Sequence, residues 1–287
     1  MNLSPAAMGG ARRLPTRMVE KVWGRANLPA PFGPGDGDAN SSDYADAEKA
    51  RIGEIWFEPP PEMADLLVKY LFTSEKLSVQ VHPSIHNALP GEEGKEECWL
   101  VLDAKPGAKL AIGFDESHPV ERIEAAARDG SIEELLTWHD ARAGDIFYLP
   151  AGTVHAIGAG LALVEVQQSS DTTFRLYDYG RPRELHLERA LAVADCKPYP
   201  PDHASNVEQR GVTLIDAPHF RLDRIEGAPD EATKARYDAG VLALPLEGEL
   251  TLLPSGEVTG PGECLYAPSL SAIEFSPSGV TLLTRSQ

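Results

Sequence analysis

Short apolar runs, each soon closed by glycine or proline, set the strongest limit on how this chain can fold. The runs "LSVQVH", "CWLVLDA", "KLAIGF", "DIFYLP", "LALVEVQQ" and "VLALPLEGELTLL" are rich in Val, Ile, Leu and Phe, and 25 glycines and 24 prolines punctuate the chain. Short strands with turn signals between them predict a sandwich or a barrel. The 287 residues are enough for one large or two moderate domains. One helical interlude, "VERIEAAARDGSIEELLTW", breaks the rhythm, and Ser131 with Glu134 reads as a capping box opening its second helix. The polar stretch Phe32–Ala50 is expected to be a surface loop, with a lid as the alternative.

Charge and cysteines narrow the partners and the compartment. A formal net charge of −18 argues against nucleic acid or an anionic membrane as partner. No window approaches the roughly 18–20 continuous apolar residues of a membrane helix. Arg12, Arg13 and Arg17 near the N-terminus are not followed by the apolar core of a secretory signal, so a cytoplasmic location is expected. Cys98, Cys196 and Cys264 are odd in number, far apart and lack CxxC spacing. They are expected to be free buried thiols in a reducing compartment, neither a disulfide framework nor a thiolate metal site.

An internal echo suggests duplication. "GDIFYLPAG" at Gly144 and "GECLYAPSL" at Gly262 share glycine, an acidic residue, an apolar run and proline six residues on. The first copy reaches His155 eleven residues past its glycine, where the second has Ile273. The echo predicts two β-barrels, of which the first keeps a polar site.

Strand alternation shows where that site lies. In "LSVQVHPS", Leu77, Val79 and Val81 are expected on one face and Ser78, Gln80 and His82 on the other. A hydroxyl, a carboxamide and an imidazole on one strand face suit a barrel interior better than a solvated row. "GDIFYLPAGTVHAIG" has the spacing Gly-x5-Pro-x-Gly-x2-His, which resembles the second motif of the cupin superfamily, whose barrel holds a divalent metal. Gln80-x-His82 stands where that superfamily's first motif usually has His-x-His, and "GKEECWLVLDA" supplies a carboxylate at Glu96 or Glu97. Two imidazoles, a carboxylate and an amide oxygen would make a catalytic Zn2+ site, and the same donors admit Mn2+, Fe2+ or Co2+.

Taken together, "VEKVWG", "IGEIW", "LSVQVHP", "GKEECW" and "PAGTVHAIGAGLALVEVQQSSDTTFRLYDYGR" resemble type I mannose-6-phosphate isomerases in their short bacterial form, across roughly Thr16 to Arg189. The resemblance implies one zinc per chain on Gln80, His82, Glu97 and His155, leaving Glu96 behind the ligands or facing solvent. It implies a catalytic Arg175 and an active site lined by Ser78, Lys69, Lys95 and Glu165. Arg25 departs from the family's frequent "WGG", which places substrate preference in doubt. The implied reaction is the interconversion of D-mannose 6-phosphate and D-fructose 6-phosphate through an enediol, in mannose metabolism.

Glu165 is the first candidate for the base, with a zinc-bound water or Lys69 as alternatives. Lys69, Lys95 and Arg181 are available for the phosphate. The plainer reading of Arg175 is an ion pair with Asp171. Trp56 and Trp99 are expected to pack the barrel, Cys98 to face away from Glu97, and His86, His118, His139, His186, His203 and His219 to be surface or loop residues. A cupin dioxygenase with Fe2+ and a non-catalytic sugar-binding cupin are the competing functions; Gln80 and the "SSDTTFRLYD" block disfavour the first, and the retained metal ligands and Arg175 the second. The expected architecture is thus mainly β, with cupin-type jelly-roll barrels and a few short helices. Residues 1–200 would form the catalytic domain and 205–287 a smaller degenerate barrel without metal. The expected partner is a phosphorylated sugar, and the expected assembly a monomer or homodimer.

Overall fold

A computed structural model describes residues 9–33 and 50–287. The expected loop at Phe32–Ala50 therefore lies largely outside the described residues. Among these, the strands form four sheets. A seven-stranded sheet runs in the order Ala204–Asn206, Asp145–Leu149, Glu97–Ala104, Leu161–Gln168, Leu66–Phe72, Ile52–Phe57, Thr16–Arg25. A five-stranded sheet faces it, in the order Phe174–Tyr177, Val79–Val81, His155–Ile157, Lys109–Phe114, Leu136–Asp140. The C-terminal region repeats the plan with a six-stranded sheet, built around Val241–Glu247, Val280–Ser286 and Phe220–Glu226, and a three-stranded sheet. This is the mainly β, sandwich-type architecture expected from the strand rhythm.

Period-two alternation explains why the layers stack. Along Leu66–Phe72, the residues Leu66, Val68, Tyr70 and Phe72 point to one side. There they meet Leu214, Phe220, Leu244, Tyr266 and Leu282 of the six-stranded sheet, so the seven-stranded sheet is buried on both faces. Its other face encloses Leu71, Trp99, Val101 and Leu163, opposite Leu110, Ile112 and Ile157 of the five-stranded sheet. The outer face of the five-stranded sheet is closed by the helices Val120–Asp129 and Leu187–Val193, through Ile123, Ala126 and Ala190.

The echo at Gly144 and Gly262 is structural as well as sequential. Both glycines are left-handed, with φ of 88° and 89°, a conformation that a side chain would strain. Each opens a turn into a strand, and the following strands begin at His155 and Ile273, eleven residues on in both cases. Two pairings cross the expected division near residues 200–205. Arg12–Arg13 pairs with Leu265–Ala267 of the six-stranded sheet, and Ala204–Asn206 pairs with Asp145–Leu149.

Three local expectations are corrected. No capping box forms at Ser131, because its N–H and hydroxyl both donate to Asp129 Oδ1 at 2.9 and 2.6 Å. After the left-handed Gly130 only a short 3-10 segment follows, Ser131–Leu135, and the last residues of the interlude form the strand Leu136–Asp140. Leu77 does not share the face of Val79 and Val81. It precedes the regular strand and packs with the barrel interior, while the two valines lie under the helices. Cys196 is only half-buried, unlike Cys98 and Cys264. Among the described residues no helix is long and apolar enough to cross a membrane.

Candidate metal centre

The interior of the first sandwich changes character along its strands. Leu161 and Leu163 are followed on the same face by Glu165 and Gln167; Leu71 is preceded by Lys69, and Trp99 by Glu97. Backbone register brings residues distant in sequence into rows. Trp56, Lys69, Glu165 and Trp99 are successive cross-strand neighbours in the seven-stranded sheet. Arg175, Gln80 and His155 form the corresponding row in the five-stranded sheet.

Three side chains converge between those rows. The ligand atoms of His82, Glu97 and His155 lie within 4.8 Å of one another, and all three residues are buried. His82 Nδ1 hydrogen-bonds to the Thr172 carbonyl at 2.8 Å and His155 Nδ1 to the Thr153 carbonyl at 2.9 Å. Each ring therefore carries its proton on Nδ1 and turns an Nε2 lone pair inward, the tautomer a metal ligand needs. Both Nε2 atoms face the same carboxylate, at 3.5 and 3.4 Å from Glu97. Gln80 Nε2 lies 3.3 Å from His155 Nε2, and Ser78 donates to Gln80 Oε1 at 3.0 Å. A half-turn of the carboxamide would exchange its oxygen for that nitrogen. Glu97 Oε2 is buried and makes no well-formed hydrogen bond, although Lys95 Nζ stands 2.8 Å away. Two convergent lone pairs and an ionised carboxylate between them fit a divalent metal, and the structure brings together all four sequence-predicted donors.

Lysines and carboxylates alternate on the wall beside them. Lys69 Nζ is 2.9 Å from Glu165 and 3.9 Å from Glu54, while Lys95 is also 3.7 Å from Glu165. Trp99 donates its indole N–H to Glu165 at 3.1 Å. Burial opposes the charge on Glu97, yet Lys95, His82 and His155 together hold its carboxyl well below the ordinary range. Glu165 goes the other way: burial and the neighbouring Glu97 push it up, against the pull of Lys69 and Lys95. Burial would discharge Lys69, but Glu165 and Glu54 outweigh it and raise its pKa above the ordinary value. Burial keeps both imidazoles below their usual value, so they are neutral near pH 7. The site thus pairs one firmly ionised carboxylate with a second whose proton affinity is raised.

A cavity of about 300 Å³ opens onto these groups, and its walls include Lys69, Ser78, Gln80, Lys95, Glu97, Glu165 and Arg175. Arg175 makes no ion pair with Asp171 among the described residues, because Asp171 precedes the strand that carries Arg175; both line the cavity instead. Arg181 is not in the wall: it is tied to Asp178 at 3.2 Å and Glu75 at 3.0 Å. Arg183, which sequence reasoning passed over, lines the cavity in its place, braced by Asp178 at 2.6 Å. Trp99 packs the interior as expected, whereas Trp56 lies in the cavity wall between Arg17 and Lys69.

Glu54, Lys21 and Gln167 are further wall residues that sequence reasoning missed. Alternation with Trp56 and Glu165 was the signal that could have found Glu54 and Gln167. Glu96 turns away from the cavity, accepting the Tyr148 hydroxyl at 2.6 Å and standing 3.7 Å from His219 Nε2. Cys98 is buried on that same opposite side. His118 is buried too, against Asp115 at 2.7 Å, rather than at the surface.

Comparison with known proteins follows the same lines. No family model matches the chain. It is 36% identical over 211 residues to the mannose-6-phosphate isomerase ManA of Bacillus subtilis, covering 68% of this chain and 65% of that protein. It is 35% identical over 210 residues to the mannose-6-phosphate isomerase of Streptococcus mutans, covering 63% and 66%. To the probable mannose-6-phosphate isomerase GmuF of Bacillus subtilis it is 38% identical over 218 residues, covering 71% and 68%. The matched stretch spans just under two thirds of the first two relatives. The crystal structure of the Bacillus subtilis mannose 6-phosphate isomerase superposes with a TM-score of 0.71 at 23% identity, covering 96% of this chain and all of that one (100%). A zinc-bound mannose 6-phosphate isomerase superposes with a TM-score of 0.66 at 14% identity, covering 97% and 100%. At these identities the structural likeness speaks for the fold.

Proposed function

Because this chain belongs to the mannose-6-phosphate isomerase family, we propose that it interconverts D-mannose 6-phosphate and D-fructose 6-phosphate. The observation that carries the reading is the convergence of His82 Nε2, His155 Nε2 and the Glu97 carboxylate at a cavity that also holds Glu165, Lys69 and Arg175. His82, His155, Glu97 and Gln80 would hold a zinc ion. Bound there, zinc supplies Lewis-acid polarisation of the sugar oxygens, worth several kcal/mol on an enolisation barrier.

The chain's own groups divide the remaining work. An aldose–ketose exchange removes the proton at C2 of the open-chain sugar and returns one at C1. Glu165 takes and returns that proton: its raised proton affinity suits a base working on a weak carbon acid. Lys69 and the Trp99 indole hold the two oxygens of Glu165 in place. Arg175 supplies a fixed positive charge beside the developing enediolate. Its Nε is buried without a hydrogen-bond partner, which leaves that donor for substrate. Lys69 and Lys95 are committed to carboxylates. Capture of the phosphate falls to Arg183 on the cavity wall, where Asp178 takes its Nε and Nη2 but not its Nη1.

The test is a coupled assay of mannose 6-phosphate isomerisation, run before chelation, after chelation and after zinc restoration. Activity is expected to vanish on chelation and return with zinc. Arg175→Ala is expected to lower kcat/KM by about 100- to 1,000-fold, the usual loss for one preorganised donor. Absence of turnover by the zinc-loaded protein overturns the reading and moves the search to other sugar phosphates.

A further inference from the structure

Gln167 lines the cavity and carries an unpaired hydrogen-bond acceptor, and the isomerase reading gives it no role. The side chain is only 1% exposed and lines the cavity wall. Both amide hydrogens are committed, because Nε2 donates to the Gln168 carbonyl at 2.8 Å and to the Ser170 carbonyl at 2.9 Å. Those two carbonyls settle the orientation of the amide, since a flipped carboxamide would set oxygen against oxygen twice. Oε1 is therefore the free end of the amide: it is buried in a residue that lines the cavity, and among the described groups it has no hydrogen-bond partner. Gln167 is also the cross-strand neighbour of Glu97, which sets it beside the three converging ligands and two residues beyond Glu165 on the same strand face.

A buried acceptor without a donor is destabilising unless something that enters the cavity satisfies it. The complement of a neutral acceptor is a hydroxyl. A phosphate, which at neutral pH offers mainly acceptors, is repelled. We propose that Gln167 is a specificity-determining residue whose Oε1 accepts a hydrogen bond from a hydroxyl on C3, C4 or C5 of the open-chain sugar phosphate. The inference rests on the isomerase reading and deepens it. With Arg183 drawing the phosphate and Gln167 refusing it, the cavity sorts the two ends of the substrate and so sets which carbon meets Glu165. A site built to bond a hydroxyl discriminates against an analogue that lacks it, because its own polar group is then left unpaired.

The experiment measures kcat/KM for mannose 6-phosphate and its 3-deoxy, 4-deoxy and 5-deoxy analogues, on the wild type and on Gln167→Met. The wild type is expected to lose about tenfold or more on one analogue, the scale of one hydrogen bond to a buried acceptor. Gln167→Met is expected to lose a similar factor on mannose 6-phosphate and nothing further on that same analogue. If Gln167→Met instead lowers all four substrates by one common factor, or lowers none, Gln167 holds only the backbone at Ser170 and the inference is overturned. Gln167→Asn, which keeps the amide but withdraws its oxygen, takes the place of Gln167→Met should the latter fail to fold. Wild-type protein that does not turn over mannose 6-phosphate at all overturns the isomerase reading itself and this inference with it.

Discussion

The two β-sandwiches of this chain share a plan and differ in what their interiors hold. In both, a left-handed glycine leads through a strand to a second strand that begins eleven residues on. In the first that strand opens with His155, beside Gln80 and facing Glu97. In the second it opens with Ile273, 5% exposed and packed with Leu250, Leu252, Leu265 and Leu283. Among the described residues the one cluster of metal-ligating side chains is in the first sandwich. The backbone that carries a ligand is therefore common to both copies. What separates them is whether the neighbouring strands supply complementary donors, because a buried imidazole without partners is a cost and a buried isoleucine is a gain.

The largest effect that would sharpen this contrast comes from erasing it in the first copy. In His155→Ala, zinc measured by elemental analysis should fall from one per chain to near none, with the far-UV circular dichroism of the fold retained. Isomerase activity should drop by at least about a thousandfold, since several kcal/mol of Lewis-acid stabilisation is lost at about 1.4 kcal/mol per decade. Retained zinc would mean that the other three donors suffice, and that His155 is a core histidine like any other.

The reverse exchange tests the second copy. Ile273→His should bind no additional zinc, because its cross-strand neighbour is Leu252 and it packs in an apolar cluster, and should lower stability to denaturant by about 1–3 kcal/mol for burying an unpaired polar ring. A second equivalent of bound zinc would break the comparison.

The smallest effect belongs to the seam between the copies. Tyr148 of the first sandwich donates to Glu96, which also stands near His219 of the second. Tyr148→Phe should cost about 1 kcal/mol of stability and leave zinc content unchanged. A fall in zinc would show that the Tyr148–Glu96 hydrogen bond helps to set the Lys95–Glu97 segment.

Much of the fold and part of the site were legible in the chain itself. Gly144, Pro150, Gly152 and His155 encode a turn and a strand within a dozen residues, and Gln80 and His82 share a strand face by simple alternation. These are local properties, set by backbone sterics and the two-residue pleat, so spacing alone reveals them. Failure was also local at Ser131. Its capping pattern was present, but Asp129 competed successfully for the same backbone and hydroxyl donors.

What the sequence by itself determined is the strand rhythm, the duplicated turn, and the residues able to hold a metal. Tertiary structure alone decided how they are used. Register across strands far apart in the chain set Lys69 against Glu165, and Gln167 beside Glu97. A buried Asp178 tied Arg181 away from the cavity and braced Arg183 in its wall. The packing of two sheets made Leu77 an interior residue while Val79 and Val81 went under the helices. Each of these outcomes depends on burial and charge contributed by partners that no local window contains, which is why only the assembled layers could decide them.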